Sequence, residues 1–239
     1  MSSTLLSRLR RRRRTPRSRA ESNDLSDSLV VVRDPAGPSA EAYRALRTNL
    51  LYSFLNSSPR VIVVSSPDPH EGKSAVAANL GVALAQITST LIVDCDLRAP
   101  AMHKVFNTPN AMGLVDILIG ERDLREVYHE PFPGLKMITA GPMFPSPTEF
   151  LSSERFAQFV DQAREQFEYV LMDSSPIHLT SDALIVARQC DGVLVVLDAE
   201  NTRKVSLRQS VRSLESVGAK VLGTVMHNAK VSTSFDTAR

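Results

Sequence analysis

Tryptophan is absent from this 239-residue chain, aromatic side chains make up only 5% of it, and there are two cysteines. A core so poor in rings must be built from Val, Leu and Ala, a palette that suits parallel strands covered by helices. Cys95 and Cys190 form neither a metal-ligand spacing nor a disulfide framework, which makes a reducing cytoplasm the expected compartment and Cys95 a small core residue. No apolar run approaches the ~18–20 residues needed to span a bilayer. The Arg-rich start is followed by polar TPRSRAESND rather than by an apolar segment, which argues against export. Acid is missing from residues 8–19, where eight arginines stand, so the formal net charge of +2 divides into a basic arm and a body of −6. Tyrosine is scarce as well: four residues, Tyr43, Tyr52, Tyr128 and Tyr169, with none in the closing AKVSTSFDTAR.

What is present is organised around SSPDPHEGKSA, between the apolar run Val61 to Val64 and the helix-like AVAANLGVALAQ. Strand, turn and Gly-Lys-Ser opening a helix is the order of a phosphate-binding P-loop. A helix start leaves amides unpaired at a positive dipole end, so the N–H groups of His70, Glu71, Gly72, Lys73, Ser74 and Ala75 can converge on a nucleotide's β-phosphate. Lys73 would reach the β/γ oxygens of ATP and Ser74 would ligate Mg²⁺. Pro67 stands where the motif has its first Gly, but it precedes the cradling amides and removes no donor. His70 falls where the backbone often needs φ > 0, a conformation in which His is among the enriched side chains.

Further strands end in acids. TLIVDCDLRAP closes on Asp94 and Asp96, which the alternation of side chains puts on one face with Cys95 opposite, and EYVLMDSSP closes on Asp173. In open parallel sheets ligands bind beyond such carboxyl ends. Close acids need a cation between them, and Mg²⁺ held by Ser74, Asp94, Asp96 and Asp173 is the natural one. The remaining chain alternates helical and strand patterns, with strands over Leu135 to Ala140, Gly192 to Asp198 and Lys220 to Met226. Two short helical patterns are expected over residues 101–128, and a capped loop with one long amphipathic helix over SPTEFLSSERFAQFVDQAREQF. His103, His129, His178 and His227 fall at no metal spacing and read as ordinary surface or loop residues. The expectation is a doubly wound, mostly parallel α/β sheet of three layers, the fold of P-loop NTPases. Its domain covers residues 35–230, between a disordered basic arm at 1–34 and a short tail at 231–239. The arm's charge suits an anionic membrane surface, each base being worth about 1 kcal/mol there, or nucleic acid; a solvated, solubilising tail is the alternative.

EAYRALRTNLLYSFL reads as a helix with Ala42, Leu46, Leu50 and Phe54 toward the core and a second stripe of Glu41, Arg44 and Arg47. Taken with the Gly-Lys-Ser loop and the three acids, this segment resembles the bacterial tyrosine kinases (BY-kinases) of capsule and exopolysaccharide synthesis, over about Glu41 to Asn228. LIVDCDLRAP is similar to the family's Walker A′ element and VLMD to its Walker B. The resemblance implies a protein-tyrosine kinase in which Lys73 neutralises phosphate charge, Asp94, Asp96 and Asp173 hold the metal and its waters, and Asp94 accepts the tyrosine proton. It also implies that Glu41, Arg44 and Arg47, matching ExxRxxR, assemble subunits into rings. A membrane-spanning chain-length regulator would be the activating partner, with this chain peripheral to the inner face of the plasma membrane. Two departures stand out: the tail lacks the family's tyrosine cluster, and His227 replaces the Asn that follows the last strand, with Asn228 one place on. A nucleotide-binding scaffold without phosphoryl transfer is the competing reading. A partition-type ATPase gripping nucleic acid is disfavoured by Asp68, which stands where those proteins carry an extra Lys.

Overall fold

β-Branched runs without polar alternation need both faces covered. The computed structural model, which describes residues 25–54 and 58–229, places helices on both faces of one sheet. The strands are β1 (Val61–Ser65), β2 (Thr90–Asp94), β3 (His129–Phe132), β4 (Leu135–Ile138), β5 (Tyr169–Asp173), β6 (Gly192–Asp198) and β7 (Val221–His227). Their order across the sheet is β3-β4-β2-β5-β1-β6-β7, parallel except for the antiparallel β3-β4 pair. Every residue of β1, β2, β5 and β6 is buried, which is why these strands are continuous apolar runs in the sequence.

The helices are α1 (Val30–Arg33), α2 (Pro38–Tyr52), α3 (Lys73–Ala85), α4 (Met102–Val105), α5 (Leu114–Ile119), α6 (Leu124–Val127), α7 (Pro147–Leu151), α8 (Glu154–Gln166), α9 (Asp182–Arg188) and α10 (Lys204–Ser216). They cover two separate cores. One face joins Val63, Val93, Val170 and Val195 to Phe156 and Phe159 of α8, and the other joins Ile62, Ile92 and Leu171 to α3. From Val76 to Ala85 every residue of α3 is buried, so this helix is apolar all round instead of striped. Such a helix is fixed in place, and with it the loop at its start.

Several expectations need correction. The arm predicted over residues 1–34 does not extend that far: Leu25, Leu29 and Val31 are buried, Ser26 N–H donates to the Val105 carbonyl at 3.2 Å, and buried Asn79 accepts from Val31 N–H at 3.0 Å. Asn79 is the anchor, since its amide also donates to the Ser28 carbonyl at 2.6 Å. Residues 1–24, 55–57 and 230–239, with the basic run, the last residue of the expected helix and the tail, lie outside the described residues. Residues 101–128 hold three short helices, not two, and Pro147 starts a separate helix α7 before Ser153 caps α8 through Phe156 N–H. Strand β3 was not foreseen, because its HEPF carries a proline, and Pro is tolerated at a sheet edge, which is where β3 lies. Ala42, assigned to the core face of α2, is exposed; Ala40 and Leu50 are the buried residues of that helix.

Candidate active site

Every element that points at the site ends there. Strands β1, β2 and β5 are adjacent and parallel, so Ser65, Asp94 and Asp173 close at one edge, with Asp94 directly opposite Asp173 and Val64 opposite Asp173. Parallel neighbours lie about 4.8 Å apart, which brings the two carboxylates together by register alone.

The loop from Ser65 to α3 is held from below. Ser66 and Pro67 carbonyls accept from Ile177 and His178 N–H at 2.8 and 3.1 Å, and the Glu71 carboxylate accepts from Asp68 N–H at 2.9 Å and from the Thr202 hydroxyl. The Glu71 side chain is therefore a buried strut, and only its amide faces the cradle. His70 and Gly72 have φ of +66° and +86°, the left-handed conformation that turns successive N–H groups inward. Among the described residues, nothing accepts from the amides of residues 71–75. They form an open ring of donors at a helix start.

Lys73 reaches back over this ring. Its ammonium donates to Asp96 Oδ2 at 2.8 Å, stands 3.8 Å from Asp173 Oδ1, and lies 3.4 Å from the Ser74 hydroxyl. Burial opposes the charge, but Asp173 and then Asp96 outweigh it and hold the ammonium above its ordinary range. Asp94 is fully buried, accepting Ala101 and Met102 N–H at 2.9 Å on one oxygen and Asp96 N–H at 3.2 Å on the other. Burial, seconded by the Asp173 charge, raises its carboxyl well above the usual range. Asp173 is raised by burial too, with Lys73 the main opposing influence. Neither of its oxygens, both inaccessible to solvent, has a hydrogen-bond partner among the described residues.

That carboxylate, with the Lys73 ammonium at 3.8 Å as its ion-pair partner but no hydrogen bond of its own, is the observation that fits Mg²⁺. A buried charge so thinly satisfied is costly, and a cation beside it, next to the Ser74 hydroxyl, would relieve the cost. Asp94 also accepts backbone amides and Asp96 also pairs with Lys73, and carboxylates so engaged keep lone pairs for a cation or its waters. Magnesium is commonly held by one or two protein ligands with water and phosphate oxygens completing its shell, so not all of Ser74, Asp94, Asp96 and Asp173 need touch it directly.

Sequence reasoning passed over four contacts. His227, taken for an ordinary residue, lies against the loop: a Cβ on Gly72 would fall 2.2 Å from its Cδ2. His178 Nδ1 stands 3.2 Å from Asp68 Oδ1 and its Nε2 is 3.0 Å from the Ser210 hydroxyl, tying loop, post-β5 segment and α10 together. Asn228, at φ +56°, donates to Asp198 Oδ2 at 2.8 Å. Arg98 donates to buried Asp182 at 2.7 Å, and Thr148 donates to the same carboxylate at 2.6 Å. No spacing in the sequence signals these pairs, because each joins distant strand ends.

The stripe Glu41, Arg44, Arg47 lies apart from this site and does not act as one face. Glu41 and Arg44 pair at 2.6 Å near the surface, whereas Arg47 turns inward to the Ala83 carbonyl at 2.8 Å, at the end of α3. A cation there meets the negative end of the helix. Between α2 and the end of β7 opens a cleft of about 670 Å³ lined by Tyr43, Leu46, Asn49, Val225, His227 and Asn228.

No protein-family model matches the chain. It is 30% identical over 205 residues to a putative tyrosine-protein kinase CapB of Staphylococcus aureus, covering 85% of this chain and 90% of that protein. Among solved structures, the kinase domain of Escherichia coli tyrosine kinase ETK matches with a TM-score of 0.80 at 30% identity, over 87% of this chain and 83% of the other. A chimerical protein CapA2B2 matches with a TM-score of 0.79 at 34% identity, over 84% and 89%.

Proposed function

The chain belongs to the bacterial tyrosine-protein kinases, and from that premise we propose that its P-loop site transfers the γ-phosphoryl group of ATP to tyrosine hydroxyls in the control of capsule or exopolysaccharide synthesis. One observation carries the residue assignment: Lys73 sits 2.8 Å from Asp96 and 3.8 Å from Asp173, above a ring of unpaired amides over residues 71–75 that turns at left-handed Gly72. The amides of residues 71–75 cradle phosphate oxygens, and Lys73 neutralises the charge that builds on the transferred group. Bound Mg²⁺, held by Ser74 and by Asp173 directly or through water, supplies charge neutralisation between phosphates. A phenol is a weak acid, with pKa near 10, so its proton leaves late, as the bond to phosphorus forms. The resemblance gives that proton to Asp94, which stands opposite Asp173 at the end of β2.

His227 and Asn228 border the loop where the base of the nucleotide would lie, and the cleft beside α2 adjoins them. Ring assembly through the stripe Glu41, Arg44 and Arg47 of α2 is part of the reading, with Glu41 its most exposed member. No helix among the described residues is long and apolar enough to cross a membrane. Association with the inner face of the plasma membrane through a membrane-spanning activator is therefore proposed as peripheral. The partition-type alternative gains nothing from Asp68, which is engaged by His178 and carries the wrong charge for that role.

The test is phosphotransfer from labelled ATP to a random Glu-Tyr copolymer. Wild-type protein should label it in the presence of Mg²⁺, and Lys73→Met should lose at least 100-fold of the rate, the loss of one charge-stabilising group costing roughly 3 kcal/mol. Nucleotide-dependent assembly with no label on any tyrosine would replace the kinase by the scaffold reading.

A further inference from the structure

All four tyrosines of the sequence fall among the described residues, and their access to a kinase site can be compared. Tyr169 stands in β5 between β1 and β2 and is 4% exposed. Tyr43 is turned into the cleft between α2 and β7, where burial pushes its phenol up to about 12. Tyr128 is half-buried, with the Lys136 ammonium 4.9 Å above its ring and Lys136 itself paired to Glu130. Tyr52 is different in kind: it is the last residue of α2 and is 77% exposed.

Its place in the fold decides how it can react. The first half of α2 lies beside the end of β7, since Ala42 and Tyr43 share a cleft with His227 and Asn228. The last turn lies at the opposite end of the strands. There the Ser58 hydroxyl donates to the Leu51 carbonyl at 3.4 Å, just ahead of the start of β1, and the Lys220 ammonium lies 5.2 Å from the Phe54 ring at the start of β7. The P-loop leaves the other end of β1, a strand of five residues, or roughly 17 Å. The Tyr52 hydroxyl therefore cannot meet the Lys73 site of its own chain.

Resting on the kinase reading above, we propose that Tyr52 is the phosphoacceptor this chain presents to a second copy of itself, transfer passing between copies and never within one. The Tyr52 Oη–Pγ bond forms as the bond from Pγ to the β,γ-bridging oxygen breaks. The electron pair leaves with ADP, and the phenol proton passes through a carboxylate of the acceptor's partner site to solvent. Because donor site and acceptor lie at opposite ends of the strands, the encounter is head to tail, the heterologous contact that closes into rings or extends into filaments. The product places a dianion at the C-terminal end of α2, against the helix dipole, and so loosens the turn that carries it.

The experiment mixes two full-length variants with labelled ATP and Mg²⁺. Lys73→Met retains Tyr52 but cannot catalyse; Tyr52→Phe retains the site but lacks the acceptor. The Glu-Tyr copolymer, in a parallel reaction, reports kinase activity independently. The inference predicts that Tyr52→Phe labels the copolymer as wild type does, loses at least tenfold of its self-labelling, and labels Lys73→Met on a peptide that mass spectrometry reads as phospho-Tyr52. Undiminished self-labelling of Tyr52→Phe, or phosphate on another tyrosine, overturns the inference while leaving the kinase reading intact. Copolymer labelling with no phosphotyrosine on either chain overturns it in the same way. Absence of label from copolymer and chains alike removes both.

Discussion

Gly72→Ala isolates the geometry on which the phosphate cradle depends. At φ +86° an L side chain costs about 1–2 kcal/mol in backbone strain. Its Cβ would also lie 2.2 Å from Cδ2 and 2.6 Å from Cγ of His227. Because Cγ is the root of the imidazole, rotating the ring about its own bond cannot clear the contact, and the side chain must leave its rotamer or the strand end must shift. Overpacking of this kind costs about 1–3 kcal/mol. The sum, roughly 2–5 kcal/mol, corresponds to a fall in Tm of about 5–15 °C for a domain of this size. The two contributions separate in a double-mutant cycle with His227→Ala, followed by urea denaturation. Removing the ring should return about 1–3 kcal/mol of the loss and leave the backbone strain behind. A coupling energy below about 0.5 kcal/mol would show that the imidazole does not press on the loop, and the description of His227 would fail.

Asn79→Ala should cost about 2–3 kcal/mol, since it strands the Val31 N–H and Ser28 carbonyl, and limited proteolysis should then cut within residues 25–34 while sparing the rest. Arg98→Ala leaves Asp182 with threonine hydroxyls, Thr148 chief among them, as its side-chain donors; the arginine is partly exposed, so about 1–2 kcal/mol is expected. Burial would raise the Asp182 carboxyl, but Arg98 and Thr148 win and hold it below the ordinary value. Its contribution is thus complete above the unfolded pKa of about 3.9 and lost as pH falls through the lower folded value. Urea titrations between pH 7 and 2.5 should show a shallower acid limb for Arg98→Ala than for wild type. Asp173→Asn should abolish the Mg²⁺-dependent part of nucleotide stabilisation, about 2.7 kcal/mol at 100 times Kd, with little change in the nucleotide-free melt.

The nucleotide loop and the sheet were legible because both depend on local sequence. Strands buried on two faces must be runs such as Val61 to Val64, and Gly72-Lys73-Ser74 marks a helix start that combines left-handed backbone with a cation suited to phosphate. Asp94 and Asp173 followed from the same logic, as acids at the ends of such runs. What stayed hidden depends on partners far away in the chain. Residues 25–34 are polar enough to read as an arm until Asn79, in the middle of α3, supplies their hydrogen bonds. Arg47 shares a stripe with Arg44 in sequence, yet the helix beside it, not the period, decides that it turns toward Ala83. Asp94 and Asp96 looked equivalent to Asp173 as metal ligands. Backbone amides from the α4 start and the Lys73 ammonium, neither visible in a spacing, engage the first two, whereas Asp173 has the ammonium at 3.8 Å and no hydrogen bond.

Crystals grown with Mn²⁺ and a non-hydrolysable ATP analogue would test the assigned site most directly, because the metal's anomalous signal locates it without reference to the protein. The account places that peak roughly 2 Å from the Ser74 hydroxyl, with an oxygen of Asp173 in its coordination shell or one water beyond, and the γ-phosphate against Lys73 and the amides of residues 71–75. A metal seated away from Ser74 and Asp173, or a triphosphate lying outside the loop, would contradict it.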